Sequence, residues 1–173
     1  STLDRSSAAS DVYKRQAKEV IKKGKRMAIL VNKWDLASGK DVSAELYKED
    51  MYMEFKDLQH YPILFVSALT KRRVSNIIEV AWDIFTKQRK KISTKELNEW
   101  VEKAVRNYPP PANQGKSIKI KFIEQVQQSP PIFALFSNYP KLISIQYLRY
   151  LHNQIRDSFD LNGITIKFSL RKG

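Results

Sequence analysis

Two short polar segments combine residue types that can recognise a small ligand. Residues 32–35, Asn-Lys-Trp-Asp, follow the apolar run 27–31, and residues 67–69, Ser-Ala-Leu, follow the apolar run 63–66. An amide can both donate and accept hydrogen bonds, an ammonium only donates, and a carboxylate accepts through two oxygens. Ligands of parallel α/β sheets bind outside the carboxyl ends of the strands, so these segments predict one shared site. The alternative is an ordinary polar strand end.

The elements that must position these segments alternate between strands and helices. Residues 27–31 and 63–66 are predicted strands, and residues 43–59 and 74–85 are predicted helices. Strands that are apolar throughout, alternating with helices, are typical of a parallel α/β sheet. The last helix is supported by apolar residues whose spacing places them on one helix face: Val74, Ile77, Ile78, Ala81, Ile84 and Phe85. Two strands leave sheet edges that need covering.

After a junction at residues 86–93 the pattern changes. Ser93 or Thr94 is a predicted N-cap, Glu96 is placed to reciprocate a Ser93 cap, and the helix stops at the prolines 109–111. Further strands are predicted at 117–123, 132–137 and 164–170, with a helix at 145–159. This order predicts a small α+β domain: a three-stranded sheet with helices on one face.

Two of these strands alternate strictly, which predicts which face each residue occupies. The residues expected to face the helices are Ile118, Ile120, Phe122, Ile164, Ile166, Phe168 and Leu170. The residues expected to face solvent are Lys119, Lys121, Thr165, Lys167 and Ser169. The open face of the sheet is therefore predicted to display lysines.

Composition narrows the class of partner. The 173 residues carry 31 Lys and Arg against 18 Asp and Glu, a net charge of +13 that favours phosphate-rich partners such as nucleic acid. The absence of cysteine excludes disulfides and zinc-thiolate sites. No apolar run approaches the roughly 20 residues of a membrane helix, and no signal peptide is recognisable, so we expect a cytoplasmic protein without a membrane partner.

The two polar segments resemble the guanine-recognition motifs of P-loop GTPases, Asn-Lys-x-Asp and Ser-Ala-x. This resemblance implies that Asp35 accepts from both N1–H and the exocyclic amine of guanine, and that Asn32 holds the base edge and the neighbouring loop. It also implies that the stem of Lys33 lies over the purine and that the Ala68 backbone N–H meets the guanine oxygen. The implied GTP/GDP-binding residues are Asn32, Lys33, Asp35, Ser67, Ala68 and Leu69.

The second half contains, in order, Gln125, Pro130-Pro131, Phe133, Phe136-x-Asn138, Tyr147-Leu148-x-x-Leu151, Ile155-Arg156 and Gly163-Ile164-x-Ile166. These pieces resemble the C-terminal KH-like domain of the EngA (Der) family of bacterial ribosome-biogenesis GTPases. The resemblance starts near Lys25 and implies a role in assembly of the large ribosomal subunit. It predicts the C-terminal part of a P-loop GTPase domain at residues 17–91 and a KH-like domain at 92–173.

Residues 1–16 match nothing in that family. The stretch 7–16 looks like translated adaptor sequence, so we expect a non-native leader without function and a truncated gene model.

Other parts of the family pattern are absent from these 173 residues. No Gly-x-x-x-x-Gly-Lys-Ser/Thr phosphate loop and no switch motif occurs, so no hydrolysis is expected, and Mg²⁺ is expected only in a full-length protein. No Gly-x-x-Gly clamp of ordinary KH domains occurs either. The candidate contacts to ribosomal RNA or the large subunit are Lys119, Lys121, Arg149, Arg156 and Lys167. The alternative function is a non-catalytic KH-like RNA-binding module with a vestigial α/β segment.

Overall fold

The computed structural model describes residues 7–37, 43–87 and 89–173, so the predicted leader lies partly outside the described residues. The chain divides into two compact units between Phe85 and Thr86, whereas the sequence placed the domain boundary at 91/92. Among the described residues, no helix combines the length and apolar character that crossing a membrane requires.

The first unit contains a two-stranded parallel sheet. Its elements are α1 (Ser7–Lys22), β1 (Ile29–Val31), α2 (Ala44–Glu54), β2 (Ile63–Phe65) and α3 (Ser75–Lys87). Ile29 pairs with Ile63 and Val31 with Phe65, which confirms the predicted parallel arrangement. The predicted helix 43–59 is shorter than expected: Ser43 caps α2, and a 3-10 turn, Lys56–His60, follows its end.

One face of this small sheet is well covered. Alternate strand residues join an apolar cluster that includes Ala17 of α1 and Met51 of α2. Two residues of the predicted leader contact α2 at the margin of this cluster. Tyr13 Oη donates to Glu54 Oε2 at 3.1 Å, and Lys14 Nζ lies 2.7 Å from Glu54 Oε1. The core of the first unit thus lies between the sheet and its two N-terminal helices.

The predicted helix 74–85 is confirmed as α3, but its apolar face is not buried as a continuous stripe. Ile84 is buried, but Ile78 is 75% exposed and the neighbouring Trp82 is 66% exposed. Strands of three residues extend about 10 Å, whereas a helix of 13 residues extends about 20 Å. The two strands are therefore too short to cover the whole helix.

The second unit is a mixed three-stranded sheet with two helices. Its elements are α4 (Thr94–Asn107), β3 (Ile120–Gln128), β4 (Pro131–Ser137), α5 (Ile145–Phe159) and β5 (Lys167–Lys172). The sheet order is β3-β4-β5, with β3 antiparallel and β5 parallel to β4. The predicted capping box is confirmed, because Ser93 and Glu96 exchange hydrogen bonds at the start of α4. α4 packs on β3 and α5.

A bulge at Lys121 in β3 overturns the strict alternation predicted for 117–123. Ile120 pairs with Ser137 while Phe122 pairs with Phe136, so Lys121 is an extra residue in the ladder. A bulge resets which face the following residues occupy. Phe122, predicted to face the helices, is therefore 39% exposed, and Ile123 is buried in its place.

The last strand is shorter than predicted. Ile164, Thr165 and Ile166 are all buried, so the expectation that Thr165 faces solvent was wrong. These residues lie before β5, where the chain leaves α5 and passes into the sheet. From Lys167 onward the predicted alternation is seen, since Lys167 pairs with Ile132 and Phe168 with the fully buried Phe133.

Candidate functional site

The first polar segment begins where β1 ends, and the backbone ties it to the segment after β2. Val66 N donates to Val31 O at 3.0 Å, and Trp34 N donates to Val66 O at 3.0 Å. These bonds continue the strand pairing past the last residue of each strand. They place residue 32 beside the 66–68 segment.

The Asn32 side chain joins the two segments. Asn32 Oδ1 accepts from Lys33 N at 2.8 Å and from Ala68 N at 3.1 Å. Both bonds use the amide oxygen, so the amino group is the part of this side chain that can donate to a ligand. The structure therefore brings together the two segments that the sequence assigned to one site.

Lys33 and Trp34 point their side chains in different directions. Lys33 is exposed and has left-handed backbone angles, φ 59° and ψ 31°. The Trp34 ring packs 4.4 Å from the Phe65 ring and 5.4 Å from the Tyr47 ring, centroid to centroid. Trp34 thus anchors the segment in the core, while Lys33 stays at the surface.

The second segment is held by its serine. Ser67 is buried, its Oγ accepts from Thr70 N at 3.2 Å, and its N donates to Arg72 O at 3.2 Å. Ala68 and Leu69 are exposed beyond this closed loop. The serine therefore shapes the loop, and the two residues after it form the surface a ligand can reach.

Asp35 is half-buried, with its Oδ1 shielded from solvent. A carboxylate that accepts two base protons must present both oxygens. Binding in that mode would require the Asp35 side chain to turn. The Ala68 N–H, for its part, is engaged by Asn32 and would have to be shared with a base oxygen.

A cavity of about 410 Å³ adjoins β2 but is separate from these residues. Its polar lining comes from Glu45, Lys48, Arg73 and Asn76, and none of the six predicted guanine-site residues lines it. The Glu45 backbone N–H and the Ser43 hydroxyl hold the pKa of the Glu45 carboxyl below its usual value. No sequence pattern pointed to this cavity, because its lining comes from separate elements. Within the described ranges no group of three acidic or histidine side chains is placed to hold a metal.

The five candidate RNA contacts do not form one surface. Lys119, Lys121, Lys167 and Arg149 are exposed, and Lys121 is the bulged residue of β3. Arg156 is only 5% exposed, so its assignment as a phosphate contact was wrong. Its Nη1 donates to the carbonyl oxygens of Leu161 at 3.1 Å and Ile164 at 2.7 Å, because the chain after α5 folds back over it.

Two polar residues of the pattern found in the second half, Gln125 and Asn138, form hydrogen bonds with backbone groups. Gln125 Oε1 accepts from Ile92 N at 2.8 Å, and Gln125 Nε2 donates to Lys90 O at 3.4 Å. Asn138 Oδ1 accepts from Lys119 N at 2.8 Å, and Asn138 Nδ2 donates to Ser117 O at 2.9 Å. Each side-chain amide thus forms the hydrogen bonds that a neighbouring strand would otherwise form with a segment outside the sheet.

Comparisons with known proteins agree with this architecture. Residues 91–171 match the family described as KH-domain-like of EngA bacterial GTPase enzymes, C-terminal. GTPase Der of Flavobacterium johnsoniae is 40% identical over 151 residues, covering 87% of this chain and 35% of that protein. GTPase Der of Amoebophilus asiaticus is 39% identical over 148 residues, covering 86% of the chain and 34% of the relative.

A third relative extends the match further. GTPase Der of Fusobacterium nucleatum is 39% identical over 168 residues, which covers 96% of the chain and 38% of the relative. The chain thus spans about a third of the length of these curated relatives. Residues 91–171 are thus similar to the KH-domain-like C-terminal domain of EngA bacterial GTPase enzymes, and the chain is similar to GTPase Der over most of its length.

Proposed function

We propose that this chain carries the guanine-recognition part and the KH-like domain of an EngA-type GTPase that acts in the cytoplasm on the large ribosomal subunit. The observation that carries the proposal is the hydrogen bond from Ala68 N to Asn32 Oδ1. It joins the two segments whose residue types suit guanine. Asn32 and Ala68, which are 36 positions apart in the sequence, thereby lie side by side at the carboxyl edge of the two strands.

The roles of the other residues follow from their exposure. Lys33 and Leu69 are exposed on the two segments, where an aliphatic stem and an apolar side chain can cover a purine ring. Asp35, once turned outward, would accept from N1–H and the exocyclic amine of guanine. Adenine has an acceptor at N1 and no amine on C2, so it offers no matching pair of donors and would leave the carboxylate unsatisfied.

We expect base recognition without catalysis from these 173 residues. Phosphoryl transfer needs a phosphate loop, its lysine and bound Mg²⁺ to stabilise charge on the transferred group. No residues here match that loop. GTP or GDP should therefore bind weakly through the base, and Mg²⁺ should have no effect on that binding.

The test is an NMR titration of the chain with GDP and ADP at millimolar concentration. Shifts of the Lys33 and Ala68 amides with GDP and much smaller shifts with ADP are expected. Asp35→Asn should reduce the preference for GDP by about tenfold, since a charge-assisted hydrogen bond contributes about 1.5–3 kcal/mol. Asp57→Asn, an exposed aspartate on the 3-10 turn that precedes β2, is the matched control and should retain the preference.

The RNA part of the proposal is tested separately. Binding to ribosomal RNA should weaken steeply as salt rises, because each phosphate contact releases counterions. Replacing the exposed candidates Lys119, Lys121, Arg149 and Lys167 by glutamate should abolish most of this binding. RNA binding without any preference for guanine nucleotides would instead support the non-catalytic KH-like module. Measurable Mg²⁺-dependent GTP hydrolysis by the chain would contradict the proposal.

A further inference from the structure

The face of the three-stranded sheet that points away from α4 and α5 carries an aromatic pair. The rings of Phe122 and Phe136 are stacked, with centroids 4.0 Å apart and planes 14° from parallel. Phe122 is 39% exposed and Phe136 is half-buried. Each ring covers one face of the other, so the apolar surface left to a ligand is the outer side of the more exposed Phe122, on the edge strand β3.

The bulge at Lys121 creates this pair. In a regular strand Phe122 would lie on the same face as Ile120, toward the helices. The extra residue turns Phe122 to the open face, directly opposite Phe136 in the ladder. Bulges commonly re-aim a side chain beside a functional site. Burial does not explain this arrangement, because Ile123 already fills the adjoining inward position.

Cationic side chains surround the aromatic pair. Arg171 is in register with Phe136, and its guanidinium carbon lies 5.8 Å from the centre of the Phe136 ring. A Cβ placed on Gly173 would lie 3.1 Å from Phe136 Cβ and 3.6 Å from Lys121 Cδ, so Gly173 lies close to both side chains. Glu124 is an acidic neighbour, with Oε1 4.0 Å from Arg171 Nη1.

A second aromatic residue with a cation lies just past the end of β4. Tyr139 is 38% exposed, and Lys116 Nζ lies 4.8 Å from the centre of its ring. Aromatic rings and cations thus recur together along one end of the sheet. This combination matches single-stranded RNA, whose unpaired bases stack on aromatic and guanidinium planes while its phosphates meet cations.

We propose that the open face of this sheet binds single-stranded RNA by stacking a base on the Phe122–Phe136 pair, with Arg171 and Lys121 contacting adjacent phosphates. This inference rests on the RNA-binding part of the proposed function and assigns it a surface. It requires no Gly-x-x-Gly clamp, which the sequence lacks. Because every base has a flat face, the site tolerates any base and discriminates against duplex, whose bases are already stacked.

The test measures binding of the whole chain to a fluorescently labelled single-stranded RNA oligonucleotide and to the corresponding duplex. Phe122→Leu combined with Phe136→Leu should weaken single-strand binding about tenfold and leave the salt dependence unchanged, because stacking involves no counterion release. Arg171→Gln should lower the salt dependence. Tyr108→Leu is the matched control, since it removes an exposed aromatic residue from the end of α4 and should change affinity less than twofold.

Two further measurements separate stacking from loss of folding. An RNA carrying 2-aminopurine should change fluorescence on binding to the parent chain and not on binding to the double variant. Arg171→Lys keeps the positive charge that contacts phosphate, so it should retain the salt dependence that Arg171→Gln lowers. Thermal unfolding of each variant verifies that the comparison is between folded proteins.

The outcomes distinguish this inference from the proposed function. If the double variant binds single-stranded RNA as the parent does, the stacking site is overturned while RNA binding stands. If the parent binds no RNA at low salt, both this inference and the RNA part of the proposed function fall, whereas guanine recognition is unaffected. Binding of an acidic peptide in place of RNA, lost in the double variant, would overturn the inference in favour of a protein partner.

Discussion

Arg156 Nη1 donates a hydrogen bond to the carbonyl oxygen of Ile164 at 2.7 Å, which fastens the turn after α5 to the helix itself. The same nitrogen donates to Leu161 O at 3.1 Å, and the side chain is buried. A buried charge is tolerated only where polar groups surround it, and here backbone carbonyls provide them. Arg156 therefore stabilises the entry of the chain into β5.

Arg156→Met should destabilise the protein by about 3 kcal/mol, because it leaves two buried carbonyl oxygens without their donor. The measurement is urea-induced unfolding followed by circular dichroism. Arg149→Met is the control, since Arg149 is exposed on the same helix and its replacement should change stability by less than about 0.5 kcal/mol. Equal stability of the two variants would contradict the structural role of Arg156.

Asn32→Ala should loosen the segment after β2. Loss of the hydrogen bond to Ala68 N removes about 1 kcal/mol of local stabilisation, which corresponds to roughly fivefold faster amide exchange at Ala68. Hydrogen exchange followed by NMR measures this directly. Asn76→Ala on α3 removes an exposed amide and should leave Ala68 unchanged.

The cap of α4 should contribute to acid sensitivity. The Ser93 hydroxyl and backbone N–H hold the pKa of the Glu96 carboxyl below its usual value. A lowered folded-state pKa gives stability that is present above the ordinary carboxyl pKa and is lost as pH falls through the lowered value. Glu96→Gln keeps a capping partner without a titrating group. The stability of this variant should therefore fall less than that of the parent between pH 6 and pH 3, about the range of carboxyl titration. Glu102→Gln, on the exposed side of the same helix, should retain the dependence of the parent.

At alkaline pH, the ionisation of Tyr147 should lower the stability of the folded protein. Burial raises the pKa of this phenol, and the neighbouring Tyr150 and Tyr108 raise it further. A raised folded-state pKa gives stability that is present below the ordinary tyrosine value and is lost as pH rises above it. Tyr147→Phe should cost about 1 kcal/mol at neutral pH, because Tyr147 Oη donates to Tyr108 O at 3.0 Å, and should lose less further stability on alkaline titration. A parallel alkaline loss in both proteins would contradict this assignment.

The two units should differ in protection against hydrogen exchange. Residues 92–173 contain a three-stranded sheet with a buried core and should exchange slowly. Residues 17–90 contain strands of three residues and the exposed apolar side chains Ile78 and Trp82, so their amides should exchange faster. Mass spectrometry of peptides from the intact chain measures both. Comparable slow exchange in the two units would show that the prediction is wrong.

Local patterns in the sequence were sufficient to predict several elements of the structure. The capping box at Ser93 and Glu96 was predictable because its hydrogen bonds join residues three positions apart. The parallel pairing of β1 with β2 followed from two apolar runs separated by a helix. The guanine-type residues were found the same way, since each polar segment directly follows its strand.

Long-range packing decided the rest. The bulge at Lys121 depends on how β3 aligns with β4, so the alternation of 117–123 alone placed Phe122 on the wrong face. Arg156 was a candidate RNA contact, but the turn ending at Ile164 folds over its side chain. The bond between Asn32 and Ala68 likewise exists only once the two strands are side by side. The sequence by itself determined which residues can do chemistry, and the tertiary structure decided which of them meet, because strand register and chain reversal are set by contacts between residues distant in sequence.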